Sequence, residues 1–250
     1  MEGLMRTPAG TDVIILAGGR GTRLQPIVAD LPKPMADISG RPFISRLLQH
    51  LSREGLDHAI LAVGYKHEAI EHYLGQRHAK IDIAYTIEDH PLGTGGGILK
   101  ALYAARTDRV FILNGDTFFA ADLQQMQAFH LEKQARLTMA LRPMLDCTRY
   151  GTVTCENGYV TRFQEKCSGT ASGLINGGIY LADKEWLICQ METLRQTETF
   201  SFENDILPFL PPHTVAGRPD DGFFIDIGIP EDYRKACLLL PDLPHTPLDA

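Results

Sequence analysis

Apolar residues recur along the chain in two alternating rhythms. Residues 12–16 (DVIIL) form a nearly continuous apolar run that stops at Gly18 and Gly19, the pattern of a strand buried on both faces. Residues 41–54 place Ile44, Leu47, Leu48 and Leu51 at helical spacing, with Pro42 suited to a first helical turn and Gly55 as a stop. The alternation continues with a strand over 58–63, a helix over 66–74 and a strand over 81–87. A helix over 97–106 follows, with Ile98, Leu99 and Leu102 on one face, then a strand over 110–114 and a helix over 123–133 that Asp122 would cap. Strands separated by helices predict right-handed crossovers and an α/β fold, a Rossmann-like, mostly parallel sheet sandwiched by helices.

The rhythm changes in the second half. Residues 151–155 and 159–163 flank Asn157-Gly158, a strong signal for a tight hairpin. Residues 174–181, 214–217 and 223–227 also read as strands, and 230–240 as a helix. These pieces predict a smaller mixed β layer joined to the α/β core, since no Gly/Ser/Pro-rich linker separates the halves. The chain is thus expected to be one domain over 1–250, with 12–135 as its core, 136–240 as the second part and the proline-rich 241–250 as a loose tail.

Composition narrows the function. At 250 residues with 44% apolar and 22% charged side chains, the chain is long enough to bury one large core. Its net charge of −7, with dispersed Lys and Arg, offers no broad face for nucleic acid. No apolar run approaches the ~20 residues that span a bilayer. Five widely spaced cysteines without a CxxC pair suit free thiols, so a cytoplasmic location is expected. The nine histidines have no metal-ligand spacing, and the apolar segments leave both a monomer and a homo-oligomer open.

Two segments carry chemistry. Leu16-Ala17-Gly18-Gly19-Arg20-Gly21-Thr22-Arg23-Leu24-Gln25-Pro26 follows the first strand directly, and its glycines let backbone N–H groups approach a phosphate. It lacks the third glycine of a dinucleotide fingerprint and the G-K-[ST] ending of a P-loop, which makes a dehydrogenase a poor reading. Pro32-Lys33-Pro34-Met35 then aims one ammonium group from a stiffened backbone. Arg23 and Lys33 together could neutralise a triphosphate, the first as a fork and the second as a point charge. Alone, the segments also read as a flexible turn and a solvent-exposed lysine.

In order and spacing these two segments resemble the opening of the sugar-1-phosphate nucleotidyltransferase family. The resemblance continues through residues 92–96 (LGTGG), 114–116 (NGD), 163–166 (FQEK), 176–180 (NGGIY) and 224–228 (FIDIG), and so covers 12–240. It implies that Leu16, Ala17, Gly18, Gly19, Gly21, Thr22, Gly93 and Thr94 hold the nucleotide, with Arg23 and Lys33 as catalytic cations on the departing pyrophosphate. It further implies that Asp116 and Asp226 hold Mg²⁺, an ion suited to one or two carboxylates plus phosphates and water. Gly151, Glu165, Lys166 and Asn176 would line the sugar-phosphate site, which makes 12–135 the nucleotide-binding part and 136–240 the sugar-phosphate part. On the residues alone, Asp116 also reads as a turn or cap, and Glu165-Lys166 as a solvated pair.

Within the family the chain is most similar to the branch that transfers guanylyl groups to D-glycero-α-D-manno-heptose 1-phosphate. The segments 88–96, 113–119, 200–205 and 223–233 carry that likeness. Glu88 could accept two hydrogen bonds from guanine N1–H and its 2-amino group, though it reads equally as a surface acid before a turn. The implied partners are GTP and a sugar 1-phosphate. Mannose 1-phosphate guanylyl transfer, uridylyl transfer and a non-catalytic sugar-nucleotide-binding subunit are the alternatives. An attacking phosphate, with its second pKa about 6, needs no general base, and no Ser-His-Asp or Cys-His arrangement is evident.

Overall fold

The computed structural model describes residues 10–19, 31–164 and 172–240. The first half runs β1 (Asp12–Leu16), α1 (Phe43–Arg53), β2 (His58–Val63), α2 (His67–Leu74), β3 (Arg77–His78) and β4 (Ile81–Ile87). It continues with α3 (Gly93–Ala104), β5 (Arg109–Asn114), β6 (Thr117–Phe119) and α4 (Leu123–Glu132). The second half contributes β7 (Leu137–Met144), β8 (Thr152–Glu156), β9 (Tyr159–Gln164), β10 (Gly173–Asp183), α5 (Lys184–Leu194), β11 (Val215–Pro219), β12 (Phe224–Asp226) and α6 (Pro230–Leu239).

Ten strands form one sheet in the order β3-β4-β2-β1-β5-β10-β7-β11-β9-β8, and β6 and β12 form a separate two-stranded ribbon. The strands β4, β2, β1 and β5 are mutually parallel, as the alternation with helices predicts. The sheet as a whole is mixed, which corrects the expectation of a mostly parallel one: β10 runs antiparallel to β5, β7 and β8. All second-half strands except β12 extend the same sheet and do not build a layer of their own.

Both faces of the parallel group are covered. Val13 and Ile15 of β1 pack into one apolar cluster with α1, while Ile14 packs into another with α3. That two-sided burial explains the unbroken apolar run of 12–16. Most predicted elements sit within two residues of their expected bounds. Asp122 caps α4 by accepting from the Gln125 N–H, and Asn157 and Gly158 both take positive φ at the β8–β9 turn. Pro42 precedes α1 as its cap residue and does not lie in its first turn.

The larger differences come from partners distant in the sequence. Helix α3 begins at Gly93, four residues before the expected 97, because its glycines lie flat against Phe200: a Cβ on Gly95 would overlap that ring. Strand β7 and helix α5 had no prediction. LTMALRPM is rich in helix formers and becomes a strand through its neighbours β10 and β11. The expected tail, 241–250, lies outside the described residues.

His50 on α1 stacks on Phe118 with ring centroids 5.0 Å apart, and burial, aided by Arg53, lowers its pKa from 6.5 to about 4. The unfolded chain therefore binds a proton that the folded chain refuses between those values, so stability falls as pH drops from 6.5 towards 4. His50→Gln is expected to reduce that loss by as much as about 1.4 kcal/mol per pH unit, read as urea midpoints of both proteins at pH 7 and pH 5. Parallel losses in the two would refute it.

Candidate active site

The C-terminal ends of β1 and β5 open into one cleft, where open α/β sheets place their ligands. Gly115 is wedged there: its N–H donates to the Leu16 carbonyl at 2.9 Å, and a Cβ would overlap that oxygen. The tight junction fixes where the next residue, Asp116, leaves the sheet. Asp226 arrives from the far end of the chain through the β6–β12 ribbon, in which it stands opposite Thr117. The Ile227 N–H donates to the Asp116 carbonyl at 3.0 Å, so one short antiparallel ladder brings both acids together.

Lys33 completes this group from a single turn of 3₁₀ helix, Lys33–Met35, that Pro32 precedes and Pro34 stiffens from within. Its Nζ donates to Asp116 Oδ2 at 2.5 Å and lies 3.7 Å from Asp226 Oδ1, and its side chain is only 11% exposed. Burial, and then the like charge of Asp116, push the Asp226 carboxyl above the usual range, against the pull of Lys33 and the Gly228 N–H. Two carboxylates thus converge on one cation.

The cleft encloses about 770 Å³ and is lined by Leu16, Gly18, Gly19, Lys33, Glu88, Gly93, Thr94, Asp116, Gly151, Asn176 and Asp226 among others. Glu88 sits in a cage of glycines: a Cβ on Gly97 would lie 2.8 Å from its Oε1, and one on Gly18 3.3 Å. Its Oε2 accepts the Leu92 N–H at 3.1 Å, and burial raises its pKa against the pull of that bond, Lys100 and His90. At the first turn of α3, Thr94 donates its hydroxyl to Glu203 Oε2 at 2.7 Å. Across the cleft, the Asn176 N–H donates to the Gly151 carbonyl, and its amide Nδ2 donates to the Tyr180 hydroxyl at 2.6 Å.

The described site residues expected from sequence therefore meet in one place, with a single correction. Ala17 is buried and sends its N–H to the Ala62 carbonyl at 2.7 Å, so it anchors the loop and does not face the cleft. Gly21, Thr22, Arg23, Glu165 and Lys166 lie outside the described residues. Sequence reasoning missed Arg149, Tyr150 and Glu203, all of which line the cleft. Arg149 and Tyr150 directly precede Gly151, and Glu203 belongs to the FSFEND segment, so each stood beside a residue already singled out.

A glycine loop, a nearly buried lysine and two carboxylates gather where the sheet switches from parallel to antiparallel strands, and the chain belongs to the nucleotidyl transferase family. The nucleotidyl transferase family model matches residues 12–242. The chain is 48% identical over 227 residues to the D-glycero-alpha-D-manno-heptose 1-phosphate guanylyltransferase of Aneurinibacillus thermoaerophilus, covering 90% of this chain and 96% of that protein. The protein of the same name from Campylobacter jejuni is 41% identical over 221 residues, covering 88% and 96%. Among solved structures, HddC from Yersinia pseudotuberculosis superimposes with a TM-score of 0.81 at 36% identity, covering 91% of this chain and 98% of that one. HddC has also been solved in complex with GMP-PN, and that structure matches with a TM-score of 0.80.

Proposed function

We propose that this chain transfers a guanylyl group from GTP to D-glycero-α-D-manno-heptose 1-phosphate, releasing pyrophosphate. The observation that carries the reading is the convergence of Asp116, Asp226 and Lys33 in one cleft with Gly18 and Gly19. A sugar-phosphate oxygen forms the new bond to the α-phosphorus, and the bond from that phosphorus to the β-bridging oxygen breaks. The leaving pyrophosphate takes the electron pair. The nucleophile is already ionised near neutral pH, so the protein must align charges and neutralise them.

The residues divide that work. Backbone N–H groups at Gly18 and Gly19, with Gly93 and Thr94 at the start of α3, approach the nucleotide. Glu88, fixed by its glycine cage, accepts from the N1–H and 2-amino edge of guanine. Gly151 and Asn176 border the sugar, which divides the single domain into a nucleotide part over 12–135 and a sugar-phosphate part over 136–240. Arg23, Glu165 and Lys166 are assigned to the pyrophosphate, the sugar hydroxyls and the sugar phosphate by family resemblance alone.

The donor set fits magnesium. Two hard carboxylates share a cation here, and among the described residues no cluster of three or more His, Cys, Asp or Glu gathers into a different kind of metal site. Asp116 and Asp226 would hold the ion, which when bound supplies neutralisation of the phosphate charge. No helix among the described residues is long and apolar enough to cross a membrane.

A pyrophosphate-release panel of four nucleoside triphosphates against heptose, mannose and amino-sugar 1-phosphates tests the assignment. GTP with the heptose phosphate is expected to give the highest kcat/KM. Glu88→Gln is expected to lower kcat/KM for GTP about 10–100-fold, since a carboxamide accepts only one of the two hydrogen bonds. A wild-type preference for UTP would overturn the guanine assignment.

A further inference from the structure

The described lining of the cleft is markedly acidic. Glu88, Asp89, Asp116, Glu203 and Asp226 face it, against two permanent cations, Lys33 and Arg149. Lys33 is already shared between Asp116 and Asp226. A second dianionic phosphate entering beside that pair meets repulsion unless another cation receives it, and Arg149 is the one the described cleft supplies.

Arg149 is held in place while its binding face stays open. Its Nη1 pairs with Asp232 Oδ2 at 2.7 Å, and its guanidinium lies 5.6 Å from the Tyr150 ring centroid. The arginine side chain is still 43% exposed, whereas that of Asp232 is only 11% exposed. One arm of the fork is thus clamped from the first turn of α6, and no other ion pair among the described residues takes its remaining donors, which suit the planar recognition of phosphate oxygens. The guanidinium lines the same cleft as Asp116 and Asp226. In sequence it lies two residues before Gly151, on the sugar side of the cleft.

We propose that Arg149 binds the phosphate of the sugar 1-phosphate, and that buried Asp232 is its positioning residue, delivered by α6. The inference rests on the transferase reading above and adds a group that the sequence motifs do not include. Fixing the guanidinium beforehand spares its ordering cost at the moment the substrate binds.

Steady-state kinetics of the full chain with GTP and heptose 1-phosphate test it. Arg149→Ala is expected to raise the KM for the sugar phosphate about 30–100-fold and leave the KM for GTP within about twofold. Arg149→Lys keeps the charge and the ion pair but loses the fork, and is expected to raise it about tenfold. Asp232→Asn is expected to raise the same KM about fivefold without lowering kcat, and to add nothing on top of Arg149→Ala. Millimolar guanidinium is expected to restore part of the activity of Arg149→Ala, which a merely structural role would not allow. An unchanged sugar-phosphate KM in both Arg149 variants, or equal rises for the two substrates, would overturn the inference alone. A wild-type chain that releases no pyrophosphate from any pair would overturn the transferase reading and the inference with it.

Discussion

Asp116→Ala and Asp226→Asn are each expected to cut pyrophosphate release by about a thousandfold or more while leaving the melting temperature unchanged or slightly raised. The two effects have opposite sources. In the folded chain Asp226 is buried beside a like charge, which pushes its pKa up, so neutralising one member of the pair relieves repulsion. Lys33 keeps a carboxylate partner in either single variant, so no buried ammonium is stranded. On the proposed reading, function depends on that same repulsion, because it would make the pair attractive to a divalent cation. The Asp116→Ala/Asp226→Asn double variant removes both partners of a nearly buried lysine and is expected to melt lower than either single variant. Pyrophosphate release and thermal melts of the three proteins decide it, and a single variant with more than about a tenth of wild-type turnover would refute the assignment.

Gly115→Val is expected to cost at least about 3 kcal/mol of stability and to abolish activity. Its Cβ would overlap the Leu16 carbonyl oxygen and press on Leu16 C at 3.1 Å and Ile15 Cγ2 at 3.3 Å. Those atoms belong to β1, a strand held by parallel ladders on both sides, so they cannot retreat without disturbing β2 and β5. Gly19→Ala provides the contrast: nothing among the described residues lies within 4 Å of a Cβ there, and stability should change by less than about 0.5 kcal/mol. Urea unfolding of both proteins separates the cases. A Gly115→Val variant as stable as Gly19→Ala would show that the β1–β5 junction is looser than its geometry implies.

The parts of this molecule legible in its sequence are those whose causes are local. Residues 12–16 are buried on both faces, so their composition alone announces a strand. Asn157-Gly158 takes the two positive φ values that its side chains favour. The motif residues Lys33, Asp116 and Asp226 were likewise marked by their neighbours, two prolines, a strand end and flanking isoleucines. Elements determined by distant partners were not legible. Strand β7 is built from helix-forming residues and owes its state to β10 and β11, and the mixed character of the sheet enters with β10, which runs antiparallel to β5. The early start of α3 depends on Phe200, far along the chain. Arg149 could not be singled out because its meaning comes from Asp232 on another element and from the surplus of acids around it.

The β6–β12 ribbon has a consequence for the order in which activity can emerge. Register in a two-stranded ladder is all or nothing: a slip by one residue would turn the Asp226 carboxylate to the opposite side. In chain order, Lys33, the four parallel strands through β5 and then Asp116 all come before the second acid. A chain made only that far holds Asp116 and Lys33 without Asp226. Only when residues 224–227 return and pair against 116–119 does the second acid arrive, so on the proposed reading the pair is completed by the last strand among the described residues.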